Sequence, residues 1–169
     1  KDKRYLTTGG EDHFLPKLID AINNAIHIDI AVAFIRSTGL TLLQSALVDA
    51  LQREEKVSLR IITGDYLAIT EPAALRRLML LQELGAEIKI FETKGKQSFH
   101  MKAYIFTQGV DTNKGLAFVG SSNISRAALI DGLEWNLQVD QSENLKRFTE
   151  IKREYSNLFS DHRAMVLSH

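Results

Sequence analysis

No cysteine occurs anywhere in the 169 residues, which excludes a disulfide framework and any thiolate-ligated zinc centre. This agrees with a cytoplasmic setting, the compartment expected here. Net charge is missing as well. Lys and Arg number 21 and Asp and Glu number 21, so bulk electrostatics announce no polyanion-binding protein, and any attraction to phosphate must come from local patches. No apolar run approaches the roughly 18 residues a membrane span requires, and Lys1-Asp2-Lys3-Arg4 is not followed by the apolar core of a signal segment. No membrane partner is therefore expected. Internal repeats, low-complexity tracts and an evident linker are also lacking. What is present is a 44% hydrophobic content, ample for one substantial core, so residues 1–169 are read as a single domain. Because Lys1 rather than methionine comes first, the domain is expected to be a fragment of a larger protein.

Hydrophobic periodicity supplies the fold class. Apolar residues at helical spacing (Phe14, Leu15, Leu18, Ile19, Ile22, Ile26) predict a helix over 13–25. The nearly unbroken apolar stretch 28–35 predicts a strand covered on both faces. A helix through Leu42, Leu43, Ala46, Leu47, Ala50 and Leu51 follows, with Ser37 and Thr38 as candidate caps. Residues 56–63 form the next strand, Thr70-Glu71-Pro72 starts a helix that runs to about Gly85, and 86–91 is a third strand. Strands then come in quick succession at 101–106, 116–119 and 133–139, with a short helix near 125–130 and a closing helix over 144–158. The sum is an α/β protein, an α-β-α sandwich around a mixed, largely parallel sheet.

Three segments carry polar residues where a pocket could use them. In Phe99-His100-Met101-Lys102-Ala103-Tyr104-Ile105, alternation sets His100 and Lys102 on one face of a strand, about 6.5 Å apart, so that an imidazole and an ammonium can converge on one tetrahedral anion. An incidental surface pair would look the same. The buried strand Leu116-Ala117-Phe118-Val119 ends in Gly120-Ser121-Ser122-Asn123 before a short helix. Gly120 permits close backbone approach, and hydroxyls, an amide and backbone N–H groups then gather at a helix start, which suits a phosphate as well as it suits an ordinary capped turn. In Leu133-Glu134-Trp135-Asn136-Leu137 the apolar residues take one face and leave Glu134 and Asn136 on the other, where a carboxylate could fix the tautomer of His100 or simply face solvent. Basic clusters at Arg76-Arg77, Lys146-Arg147 and Lys152-Arg153 read as solvated helix faces, whereas Lys94 and Lys96 lie just upstream of His100 and are candidate substrate-binding residues. His13, His27, His162 and His169 show no ligand spacing, so neither a metal nor another cofactor is expected.

Together, His100-Met101-Lys102, Gly120-Ser121-Ser122-Asn123 and Glu134 eleven positions after Asn123 resemble the His-x-Lys, Gly-Ser-x-Asn and trailing Glu of the phospholipase D superfamily. Ala33-Phe34-Ile35 with Ser37 and Gly39-Leu40, and Thr63-Gly64-Asp65-Tyr66 with Pro72 and Ala74-Leu75, are similar to the phospholipase D-like domains that precede bacterial helicase or restriction-type modules. Two departures stand out. Thr107 occupies the position where the family usually carries a structural Asp, and residues 108–114 form an inserted polar turn containing Asp111. The resemblance implies a metal-independent phosphodiesterase, a DNA endonuclease by first choice, that works through a phosphohistidine intermediate. With one motif per chain, it also implies a homodimer through the active-site face. The implied catalytic set is His100, Lys102, Asn123, Glu134 and Ser121, with Ser122, Gly120, Lys94 and Lys96 binding substrate. The rival expectations are a non-catalytic DNA-binding module beside helicase or restriction-type domains, and a lipid phosphodiesterase, disfavoured because no interfacial helix with aromatic anchors is evident.

Overall fold

The computed structural model describes residues 3–65, 71–93, 99–109 and 112–168. Among these residues eight strands form one sheet: β1 (Leu6–Gly9), β2 (His27–Val32), β3 (Ser58–Gly64), β4 (Glu87–Phe91), β5 (Ala103–Thr107), β6 (Leu116–Gly120), β7 (Leu133–Asp140) and β8 (Ala164–Val166). Their spatial order is β1-β7-β6-β5-β2-β3-β4-β8. Around it lie helices α1 (Leu15–Asn24), α2 (Ser37–Leu51), α3 (Pro72–Glu83) and α4 (Leu145–Phe159), and a π-helical turn, Ala127–Asp131.

The mixed α/β architecture is the one expected, but its parallel part is confined to β2, β3 and β4; the other ladders are antiparallel. Connection length explains the division. A helix sits between β2 and β3 and another between β3 and β4, returning the chain to the same end each time, whereas the short link from β5 to β6 leaves no room for a crossover, and the longer β6–β7 link, with its π-helical turn, also returns antiparallel. The edge strands β1 and β8 were not anticipated, because four and three residues are too few for alternation to show.

Two cores flank the sheet. On one face α1, α2 and α3 press Leu18, Ile22, Leu40, Leu43, Leu47, Leu78 and Leu81 against Ile28, Ile30, Val32, Tyr104 and Phe118. On the other, α4 is the one helix among the described residues, and it lays Phe148, Tyr155 and Phe159 over Ala31, Ile62, Ile105, Ala117 and Val139. One helix does not cover that face, and among the described residues Met101, Val119, Leu133, Trp135 and Leu137 stay exposed on it.

The cap of α2 differs from the expected hydroxyl of Ser37 or Thr38. Arg36 is the N-cap residue, and the Glu71 carboxylate accepts the Ser37 N–H at 2.7 Å. Hydrogen bonds from the Ser37 side chain and backbone hold the Glu71 carboxyl below the usual carboxylate range. Thr70, the first residue of the expected Thr70-Glu71-Pro72 helix start, lies outside the described residues.

Beneath α4, Asp29 is buried and accepts two bonds from Arg60, at 2.8 and 3.1 Å. Burial pushes the neighbouring Lys152 ammonium below its usual range, with Asp29 opposing that shift and Arg60 reinforcing it. Removing Asp29 would leave these cations facing one another in a poorly hydrated layer. Asp29→Ala is therefore expected to cost about 2–4 kcal/mol, read as a lower urea midpoint at unchanged m-value.

Candidate active site

The antiparallel pairing of β5 with β2 puts the start of β5 beside the C-terminal end of β2. Ala31 faces Ala103, Ala103 faces Val119 and Gly120 faces Asn136. The segments around Phe34, Lys102, Gly120 and Glu134 therefore meet at one end of the sheet. In open α/β sheets this carboxyl end of the parallel strands is where ligands bind.

His100 and Lys102 come just before β5 rather than within the regular strand expected for them. Phe99 anchors the approach. It is buried, its ring lies 5.0 Å from that of Phe91, and it packs beside Gly64. The next residue, His100, is exposed, while Lys102 is half-buried with its carbonyl accepting the Gly120 N–H at 3.1 Å. Neither side chain forms a hydrogen bond or ion pair with a described residue. An imidazole and an ammonium are thus held by the backbone at a strand end, with their polar atoms uncommitted among the described residues.

The Gly120–Asn123 turn is built to approach closely. A Cβ on Gly120 would lie 2.0 Å from the Trp135 carbonyl oxygen, so only glycine keeps β6 paired with β7 here. Asn123 Oδ1 accepts the Phe34 N–H at 3.0 Å, which turns the amide so that its Nδ2 hydrogens are the donors left for a ligand. Ser121 Oγ accepts the Trp135 N–H at 3.1 Å and donates to Glu134 Oε2 at 3.0 Å. The turn is tied down on its far side too, where Ile124 bridges Ile35 and accepts the Arg36 N–H at 2.8 Å.

Ser122 departs from the expected role in substrate binding. It is fully buried; its hydroxyl accepts from Asn136 Nδ2 at 2.8 Å, and its carbonyl accepts the Tyr104 hydroxyl at 2.7 Å. Burial pushes the Tyr104 hydroxyl far above its usual range, and the Glu134 carboxylate adds to the shift, so Tyr104 stays a neutral donor. Ser122, Tyr104 and Asn136 therefore brace the turn from below. Tyr104 could have been found by extending the His100, Lys102 alternation by one step; the Phe34 N–H carries no side-chain signal at all.

Glu134 is half-buried, and its described hydrogen bond goes to Ser121. Lys94, Lys96 and Asp111 lie outside the described residues. Thr107 sits at the opposite end of β5, paired with His27 at the start of β2, where its Oγ1 accepts the Lys152 ammonium at 2.9 Å. The departure from the family Asp is therefore remote from His100. Among the described residues no three His, Asp or Glu side chains group so as to hold a metal ion.

Residues 18–162 match the family described as cardiolipin synthase, PLD-like domain. The chain belongs to the phospholipase D-like family. No curated protein matches it significantly. Among solved structures it is similar to the phospholipase D family member Nuc from Salmonella typhimurium, at 18% identity and a TM-score of 0.69 over 97% of this chain and 98% of that one. NucT from Helicobacter pylori gives 18% identity and a TM-score of 0.68 over 98% and 99%. A polyphosphate kinase from Porphyromonas gingivalis gives 13% identity and a TM-score of 0.62, over 99% of this chain but 24% of that one. At these identities the likeness concerns the fold. No helix among the described residues is long and apolar enough to cross a membrane.

Proposed function

We propose that this phospholipase D-like domain is a metal-independent phosphodiesterase acting on DNA as a homodimer. The observation that carries the reading is that the exposed His100 imidazole and half-buried Lys102 ammonium, unpaired among the described residues, lie at the same end of the sheet as the oriented Asn123 amide. A phosphodiester is protected by its negative charge and a poor leaving group, so hydrolysis needs cationic stabilisation, a nucleophile and an acid. Lys102 and Asn123 bind the non-bridging oxygens, and Ser121 adds a donor. A ring nitrogen of His100 attacks phosphorus; the P–N bond forms as the P–O bond to the leaving group breaks, and the partner's His100, protonated, gives its proton to the departing oxygen. That second imidazole, now neutral, takes a proton from water, which displaces the first and restores both rings.

One chain offers one such histidine, so two copies must meet. The open part of the sheet face supports this. Leu133, Trp135 and Leu137 on β7 are 83%, 65% and 50% exposed, and Val119 and Met101 extend the patch across β6 to the segment before β5. An apolar sheet face of this extent marks an interaction surface. It adjoins the site at the same end of the sheet but on the opposite face, since Met101 alternates with His100 and Lys102 and Trp135 alternates with Glu134 and Asn136. A second copy seated there brings its own His100 to the same end of the sheet.

DNA as substrate rests on the sequence likeness to domains that precede helicase or restriction-type modules, and a cytoplasmic role within such a protein belongs to the same proposal. The deciding experiment incubates the domain with single- and double-stranded DNA in excess chelator, with His100→Ala as the blank. Cleavage that resists chelation and vanishes in the variant is expected. Retarded migration without cleavage would replace this reading by that of a binding module, and turnover of a lipid head-group ester but not DNA would replace the substrate.

A further inference from the structure

Two guanidinium groups outside this chemistry stand at the rim of the same turn. Arg36 follows Ile35, which bridges Ile124, and the Arg36 N–H is bound to the Ile124 carbonyl. Its Cα is thereby fixed alongside the segment that carries Asn123. Arg126, three residues after Asn123, is fixed from the other side, its N–H donating to Thr38 Oγ1 at 3.4 Å. The two backbones touch without slack, because a Cβ on Gly39 would come within 2.3 Å of the Ser125 nitrogen. Both side chains extend outward and are just over half exposed.

Their acidic partners hold them loosely. Arg36 Nε lies 3.9 Å from Glu71 Oε2, while the other Glu71 oxygen is committed to the start of α2. Arg126 Nε lies 3.4 Å from Asp131 Oδ2, both groups being largely solvated. Exposed pairs of this kind are weak and exchange readily for a phosphate, which a planar guanidinium binds with two parallel bonds. The chain has no net charge to attract a polyanion, so a preference for a strand over an isolated diester has to come from local cations.

We infer that Arg36 and Arg126 grip the phosphates flanking the scissile one and so make the site selective for a nucleic-acid strand. The inference rests on the phosphodiesterase reading above. Arg36→Gln, Arg126→Gln and the double variant, made in the full chain, are compared on a single-stranded oligonucleotide and on bis(p-nitrophenyl) phosphate. The double variant is expected to lower the ratio of kcat/KM for oligonucleotide over small diester by about 10–100-fold, mainly through KM, and to reduce the salt slope of oligonucleotide binding by about 1–2. An unchanged ratio, or equal losses on both substrates, overturns the inference. If the unmodified domain hydrolyses neither substrate, the phosphodiesterase reading fails, and oligonucleotide binding by fluorescence anisotropy still decides the arginines: at least tenfold weaker binding by the double variant supports them, equal binding refutes them.

Discussion

Exchange of His100 for alanine is expected to lower kcat/KM for phosphodiester hydrolysis by at least about 10⁴-fold while shifting the thermal midpoint by no more than about 2 °C. Stability is spared because the ring is exposed and bonds no described residue; the loop is held by Phe99 and by the Lys102 carbonyl, which the substitution leaves in place. Activity is not spared, because in a symmetric pair one exchange removes the nucleophile and the acid together. Subunit mixing adds a sharper measurement. When excess His100→Ala protein is mixed with unmodified protein and subunits exchange, activity should fall as the square of the unmodified fraction. A linear fall would mean that each chain acts alone, and the shared site would have to be abandoned.

The layered fold was legible because most of its elements are long enough to display a period. α1 buries Leu18, Ala21 and Ile22 on one side, as the spacing of its apolar residues required. What escaped was set by partners distant in sequence. The Glu71 carboxylate at the start of α2 comes from 34 positions away, and no local rule distinguishes it from a Ser37 cap. The extent of parallel pairing escaped for a related reason: strand direction follows from connection length, and a run of strands after β4 shows elements without showing which neighbours they choose.

The site was legible in its residue types and less so in their aims. His100, Lys102 and Asn123 can be picked out because a polar residue beside a buried strand is conspicuous against the apolar alternation. Ser122 is different. In the string Gly120-Ser121-Ser122-Asn123 the two hydroxyls look equivalent, yet Ser121 bonds Glu134 at the open edge while Ser122 turns inward to Asn136. A turn reverses facing between neighbours, and that reversal depends on the β6–β7 register rather than on composition. Thr107 shows the converse, a conspicuous departure in sequence that lies at the far end of β5 and removes no group from the site.

Placing a carboxylate on the open sheet face, by Leu137→Asp or Trp135→Asp, is expected to turn a dimer into a monomer at micromolar concentration, raising the dimer dissociation constant at least about 100-fold, and to abolish cleavage in parallel. An anchor of Trp or Leu size at an interface commonly contributes about 2 kcal/mol or more, and an unpaired carboxylate buried in its place adds a desolvation penalty. Folding should survive, since both side chains are at least half exposed in the single chain. Leu137 is the better probe because it pairs with Val119 and Leu6, away from the Ser121–Glu134 contact, so lost activity there reports on association rather than on damage to the turn. Sedimentation and activity measured on the same samples separate the outcomes. A Leu137→Asp protein that stays dimeric and active shows that the second copy sits elsewhere; a monomer with full activity shows that one imidazole suffices. If the variants stay dimeric but lose binding to anionic vesicles that the unmodified protein binds, the face belongs to a membrane surface, and the choice of substrate turns from DNA toward a lipid head group.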